Sequence, residues 1–374
     1  MKRILASTVL AVTCMFGFNL HAAETSVKGT IYANWMMDLS KGAQNHNAFT
    51  IDRAYFGAES KLSDYTSLRI TFDIRPERFS TSATKVVDSN GDTVSIPAMN
   101  AYSGYPIILK YAYADWKVKP IAQYLKIRLG LQPTAYLDYM NNTWLRRYIA
   151  KNVTDENSWL STSDLGASII SSLGPQGKLG EVGVSLLNGT KYSDFVDKNK
   201  QKDLNLYAKI VPLYNNGDFD QLTLFAQFYS GTQNKTIADP VKAADWKKQI
   251  MSIGGKLAYQ KWVDICIDAN FQTLGQGAGI DNMKQRALSF WGDLYLNGVL
   301  PSNSIFKTLV LFGRYDSYDP NTNVQKDGSS LLIAGLECSP IKGVRGAAGF
   351  KQISYQLDGK DPLKYMFVNT EFKF

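Results

Sequence analysis

The chain has 374 residues, with 41 Lys and Arg against 33 Asp and Glu, a formal net charge of +8. Two histidines and three cysteines exclude a disulfide-dense scaffold and leave little for a His/Cys metal site. Twenty-one tyrosines, 18 phenylalanines and 29 glycines suit a large aromatic-rich sheet with many turns, and the modest positive charge favours anionic solutes or lipid phosphates without implying a nucleic-acid partner.

Lys2 and Arg3 precede a largely apolar stretch from Ile4 to Leu20, and Ala22 and Ala23 offer a small-residue cleavage site before Glu24. This pattern predicts an export signal over residues 1–23 and a single domain over 24–374. Loss of Lys2 and Arg3 lowers the formal charge from +8 to +6. Cys266 and Cys338 then remain, far apart and without metal-like spacing, so both are expected as free thiols. After residue 23 no apolar run is long enough for a membrane-spanning helix.

The first mature strand alternates cleanly. Val27, Gly29, Ile31, Ala33, Trp35, Met37 and Leu39 share one face, and Lys28, Thr30, Tyr32, Asn34 and Asp38 share the other. The same period of two predicts strands near 48–61, 65–75, 107–118, 124–132, 164–173, 180–188, 203–212, 220–230, 249–259, 262–272, 284–297, 305–316, 330–338, 343–353 and 364–374. With the first, that makes sixteen. Short turns rich in Gly, Pro, Asn and Asp follow the even-numbered strands, whereas most links after odd strands are longer and more polar.

Two links are long. Pro76 to Pro106 contains Asp88-Ser89-Asn90-Gly91-Asp92, a hairpin signal between Val86-Val87 and Val94-Ile96. Pro133 to Ser163 follows strand 5, and Leu137, Met140, Trp144, Leu145 and Ile149 recur there at roughly helical spacing over Tyr136 to Ala150. Structureless loops of this length are uncommon and usually functional.

In the last strand Met366, Val368, Thr370, Phe372 and Phe374 alternate with Phe367, Asn369, Glu371 and Lys373. About ten residues crossing a bilayer at a tilt, and an aromatic at the interfacial girdle, are the marks of an outer-membrane strand. An exported chain with such strands and no spanning helix implies a closed antiparallel transmembrane β-barrel, since hydrocarbon leaves no unpaired backbone group a partner. The location expected is the bacterial outer membrane. Phe374, with Phe372, is expected to be read by the barrel-assembly machinery.

Five segments carry a family resemblance. FTIDRAYFGAESKL at 49–62 resembles the second strand of the phosphate-selective-porin-like family, and LKIRLGLQP at 125–133 its strand 5. WLRRYI at 144–149 and STSDLG at 161–166 resemble its strand-5 loop and the start of strand 6, and RYDSYDP at 314–320 is similar to its strand 13. The resemblance implies a sixteen-stranded porin, a homotrimer, and a loop after strand 5 that folds into the barrel and constricts it.

Alternation turns Arg53, Lys61, Arg69, Arg75, Lys110, Lys126 and Arg128 inward on strands 2 to 5, against Glu59, Asp73 and Asp115. Arg146 and Arg147 add charge on the loop after strand 5, near Asp138, Asp155 and Glu156. A charge facing lipid at mid-depth costs ~2–4 kcal/mol, so these side chains belong in water. Arg53, Arg69, Arg75, Lys126, Arg128, Arg146 and Arg147 are therefore the candidate lumen and constriction residues, with the loop pair expected to flank the wall set. Inward Tyr32, Tyr55, Tyr111, Tyr113, Tyr207, Tyr229 and Tyr295 offer a stacking track or simply pack the wall. Catalysis finds little support: after loss of His21 the remaining histidine is His46, in a polar loop, and no phosphate cradle or HExxH pattern occurs.

The expectation is a water-filled channel, not an enzyme, with no cofactor or metal. It would pass small anionic or neutral solutes by diffusion with modest anion preference, contacting outer-membrane lipid and lipopolysaccharide. The alternatives are a substrate-selective phosphate or anion channel, and a non-conducting structural or adhesin barrel.

Overall fold

The period-2 segments form sixteen antiparallel strands in a computed structural model that describes residues 24–78, 84–87, 93–96, 103–119, 121, 124–216, 219–237, 242–298 and 305–374. The expected export signal lies outside the described residues. The strands are β1 (Glu24–Asp38), β2 (Asn47–Lys61), β3 (Thr66–Ile74), β4 (Ile107–Lys117), β5 (Leu125–Pro133), β6 (Ser163–Leu173), β7 (Gly180–Leu187) and β8 (Asp203–Asn216). They continue as β9 (Phe219–Thr232), β10 (Lys247–Tyr259), β11 (Val263–Leu274), β12 (Met283–Tyr295), β13 (Val310–Asp319), β14 (Ser329–Ile341), β15 (Val344–Tyr355) and β16 (Leu363–Lys373). Each pairs with its neighbours in chain order, and β16 pairs with β1, so the sheet has no edge.

One expected strand changes in detail, and the expected hairpin pairs as read. The strand expected from 305 starts at Val310, because Ile305–Thr308 forms a 3-10 turn first. In the long link after β3, Thr84–Val87 pairs antiparallel with Thr93–Ile96, and the turn at 88–92 lies outside the described residues.

Alternation sorts the two faces by solvent. Leu129, Met251, Ile253, Ile267, Phe290, Leu336, Met366 and Val368 stand on the outer wall, each at least 45% exposed. A continuous apolar band of this kind is not stable in water and matches the hydrocarbon of a bilayer. The inward neighbours Phe367, Asn369 and Glu371 are buried.

Register shifts interrupt the pairing of five strand pairs among the described residues, and two of them are bulges that shape the basic wall. Tyr32 and Ala33 oppose Arg53 and Ile51, which leaves Asp52 as the extra residue on β2. Thr71 and Phe72 oppose Tyr111 and Leu109, which leaves Lys110 as the extra residue on β4. Lys110 and Tyr111, adjacent in sequence, are both buried as a result. Strict alternation cannot turn two successive residues inward.

The seam between β16 and β1 extends to Phe374. Its N–H donates to the Gly29 carbonyl at 3.1 Å, and the Gly29 N–H donates to its carbonyl at 3.0 Å. The Phe374 ring covers the space that a Cβ at position 29 would fill. A glycine here lets an aromatic from the neighbouring strand lie flat over the backbone. Gly29→Val is expected to push the ring aside while the two backbone bonds persist, and deletion of Phe374 to remove both. Heat-modifiable migration on a denaturing gel should therefore show a lower transition temperature for both variants, with the deletion lower than Gly29→Val.

Candidate functional site in the lumen

The link between β5 and β6 is built to be buried. It starts with helix α1 (Ala135–Trp144), whose Tyr136, Leu137, Tyr139, Met140 and Trp144 are buried, and includes a short helix α2 (Val153–Glu156). Tyr136, Met140, Trp144, Tyr148 and Ile149 join one apolar cluster with inward Tyr207 of β8, Phe225 of β9, Cys266 of β11, Trp291 of β12, Phe312 of β13 and Ile333 of β14. Trp144 meets Trp291 and Phe312 edge to face, with ring centroids 6.0 and 6.1 Å apart. The segment thus lies inside the barrel, against the wall formed by β8 to β16.

Helix α1 ends at Trp144, short of the Ala150 to which its apolar spacing runs. Leu145 takes φ 60°, in the left-handed region, and its N–H caps the Asn141 carbonyl at 2.9 Å. Leu145 is exposed and does not belong to the apolar face, contrary to the helical reading. Its carbonyl accepts from Arg345 of β15 at 2.8 Å, which holds the turn. After this turn Arg146 and Arg147 point to opposite walls.

Arg146 turns to the wall of β11 to β16, which is acidic. Its guanidinium donates to Asp293 of β12 at 2.7 Å and lies 3.2 Å from Glu337 of β14. Tyr148 also donates to Glu337, and the Asn369 amide of β16 donates to the Tyr148 carbonyl at 2.7 Å. Asp268 of β11, fully buried, accepts from Tyr136 at 2.7 Å and from Asn152 at 3.1 Å. Glu371 of β16 pairs with Arg345, and Asp316 with Arg314 at 2.6 Å, both on β13. The loop therefore satisfies Asp268, Asp293 and Glu337, and wall arginines satisfy Asp316 and Glu371, as burial of such groups requires.

The facing wall, β2 to β5, is basic. Arg53 lies 3.5 Å from Asp73, Arg69 lies 3.5 Å from Glu59, and Lys126 and Arg128 share Asp115 at 3.6 and 2.6 Å. Tyrosines fill the intervals. Arg69 stands over Tyr111 at 4.7 Å, Arg128 over Tyr113 at 4.2 Å, and Lys110 over Tyr55 at 4.3 Å. The rings of Tyr55, Tyr111 and Tyr113 serve as seats for cations. Arg75 stands 5.8 Å from the ring centroid of Tyr192, which comes from the loop after β7 and donates to Asp73 at 2.6 Å.

Arg147 joins this basic wall. It is bonded to Asp155 at 2.5 Å and Asn141 at 3.3 Å within its own loop, and lies 3.5 Å from the Tyr55 hydroxyl. Between the loop and the wall is a cavity of about 280 Å³ bordered by Tyr55, Arg69, Lys110, Asp138, Asn141 and Arg147. Of the seven candidate residues, Arg53, Arg69, Lys126, Arg128 and Arg147 thus stand on one side, Arg75 lies against Tyr192, and Arg146 is sequestered on the other side. Alternation alone places Asp268, Asp293 and Glu337 inward, yet nothing in the sequence links them to the loop. Tyr192 carried no signal at all.

No protein-family model matches the chain, and no curated protein matches it. Solved structures do match in fold. The trimer form of OmpT, an outer membrane protein of Vibrio cholerae, superposes with a TM-score of 0.59 at 12% identity, over 95% of this chain and 100% of that one. The outer membrane channel DcaP of Acinetobacter baumannii gives 0.57 at 13% identity, over 94% and 97%. An anion-selective porin from Comamonas acidovorans gives 0.56 at 10% identity, over 94% and 100%. At these identities the likeness is one of fold: the chain has the closed sixteen-stranded barrel of outer-membrane proteins.

The docking of the loop has a testable weak point. Arg146→Ala leaves Asp293 and Glu337 buried without their cation, at a cost of ~3–5 kcal/mol for removing one partner of a buried pair. Amide exchange over residues 134–162 is expected to accelerate strongly in this variant, with the barrel strands unaffected. Arg146→Met with Asp293→Asn and Glu337→Gln is expected to recover most of the protection.

Proposed function

We propose that the protein is a porin of the bacterial outer membrane, exported through residues 1–23, that passes small hydrophilic solutes by diffusion with a modest preference for anions. The observation that carries the reading is the unequal treatment of the two walls. The loop after β5 engages Asp268, Asp293 and Glu337 of β11, β12 and β14, and Arg69 and Lys110 of the basic wall remain along the cavity. On the basic wall the carboxylates are shared: Asp115 serves Lys126 and Arg128, and Glu59 serves Lys28 and Arg69. The balance left there is positive.

In this reading the loop is the constriction, and Arg53, Arg69, Lys126, Arg128 and Arg147 set the potential within it. Arg75 acts at the outer margin, and Arg146 anchors the loop. Small anions are concentrated by field focusing, and neutral solutes pass by size. Exposed charges elsewhere are screened beyond the ~8 Å Debye length of physiological salt, so only charges across the narrow part count. The anion selectivity of the Comamonas acidovorans porin is consistent with such use of the fold. The trimer form of Vibrio cholerae OmpT supports a homotrimer here. The segment resemblance to phosphate-selective-porin-like proteins adds a finer reading, an oxyanion channel. Lipid and lipopolysaccharide contact the apolar outer wall, and the barrel-assembly machinery is the partner for the exposed Phe374 face.

The test is the reversal potential of single channels in a KCl gradient. The wild type is expected on the anion side, and Arg69→Ala with Arg147→Ala is expected to lower the anion-to-cation permeability ratio by about two- to threefold. A cation-preferring wild type, or a pore that conducts nothing, overturns the reading.

Asp138 supplies a pH dependence. Enclosure pushes its carboxyl above the usual range, against the pull of Arg69, Arg128 and Lys110. On acidification it therefore loses its charge before an ordinary carboxylate does, and the lumen becomes more positive. Anion preference is expected to rise as pH falls from neutral. Asp138→Asn is expected to start at the higher preference at neutral pH and to show a flatter profile.

A further inference from the structure

Three cations of the basic wall converge on one atom. The Tyr55 hydroxyl oxygen accepts from the Arg53 guanidinium at 2.9 Å and from the Lys110 ammonium at 3.0 Å, and the Arg147 Nε lies 3.5 Å away. These donors come from β2, β4 and the inward loop, so only the closed barrel with its loop docked assembles them. Lys110 is 4% exposed, and it reaches this point because the bulge at Thr71 and Phe72 turns it inward beside Tyr111. Among the described residues no carboxylate lies within ion-pairing distance of Lys110; its hydrogen bond goes to Tyr55. Arg53 lies 3.5 Å from Asp73, the cross-strand partner of Tyr55, and Arg147 has Asp155 at 2.5 Å. The three donors meet at the tyrosine oxygen, with Asp73 and Asp155 flanking the group.

Cationic donors gathered around one oxygen are the arrangement used to hold a phosphate or carboxylate. Three like charges at this spacing repel one another, and a phenol oxygen has only two lone pairs to offer them. In a pore for anions such a cradle would be a trap, because conduction requires sites weak enough to leave. Tyr55 borders the cavity, so the cradle faces the solute path.

We infer that the Tyr55 hydroxyl is the built-in occupant of an oxyanion cradle formed by Arg53, Lys110 and Arg147, and that it keeps the pore free of a saturable anion site. The inference rests on the anion-conducting reading above and makes Tyr55 a specificity-determining residue for it. Removing one oxygen atom vacates the position at which the three donors aim. A small tetrahedral oxyanion then binds there and retards the passage of chloride.

The experiment is single-channel chloride current in planar bilayers with added inorganic phosphate as the probe. Heat-modifiable migration confirms the fold of each variant. The wild type is expected to show a weak, non-saturating dependence on phosphate. Tyr55→Phe is expected to show saturable block, with half-block at a phosphate concentration at least about tenfold lower than any seen in the wild type. Tyr55→Leu serves as a second variant with the same expectation, and Tyr111→Phe on the same wall is expected to behave as wild type. Lys110→Met added to Tyr55→Phe is expected to abolish the block. Identical phosphate dependence in wild type and both Tyr55 variants overturns the inference, as does equal block in Tyr111→Phe or block that survives loss of Lys110. An anion-preferring wild type without block in the Tyr55 variants overturns the cradle alone. A cation-preferring wild type whose Tyr55 variants are blocked overturns the transport reading and leaves the cradle standing.

Discussion

A backbone N–H or C=O that faces hydrocarbon has no water to bond, and the whole architecture answers to that constraint. A sheet meets it only by closing, and closure here joins β16 to β1 down to the pair of bonds between Phe374 and Gly29. Once closed, every strand has one face toward lipid and one toward the enclosed space. The apolar half of each alternating pattern must then lie outside, which inverts the usual arrangement of a soluble fold. Polar and charged side chains are gathered in the lumen because no other surface of the wall tolerates them.

Gathering charges in a narrow space creates a second problem, since carboxylates such as Asp268 and Asp293 are buried there. The loop after β5 resolves it on one side. Its apolar residues fill the lumen beside β8 to β16, and Arg146, Tyr136, Tyr148 and Asn152 satisfy the acids they cover. Hydrophobic burial and ion pairing act together, so the loop is held by both its apolar face and its polar tips. The side it leaves open is basic and lined with tyrosine rings that seat the cations. Which side chains border the cavity is a consequence of where the loop docks.

The seven candidate residues illustrate how a shared composition separates in space. Arg53, Arg69, Lys126 and Arg128 follow from alternation, because facing is a local property of a strand. Arg146 and Arg147 are adjacent and chemically identical, yet one pairs with Asp293 and Glu337 on the acidic wall and the other pairs with Asp155 beside Tyr55. The left-handed turn at Leu145 separates them. Lys110 and Tyr111 both turn inward only because a bulge on β4 breaks the period.

The sequence by itself determined the strand count, the approximate strand positions, the inner and outer faces, and the loop after strand 5 as the unusual connection. Each of these depends on a period or a turn read within about ten residues, where backbone geometry is nearly independent of the rest of the chain. Only the tertiary structure decided what the charges do. Arg146 meets partners 147 and 191 positions away, and Tyr55 meets Lys110 and Arg147 at separations of 55 and 92. Such contacts depend on barrel closure, bulges and the path of the loop through the lumen. No local pattern encodes them, because an ion pair depends on the distance between two side chains and not on the residues that flank either one.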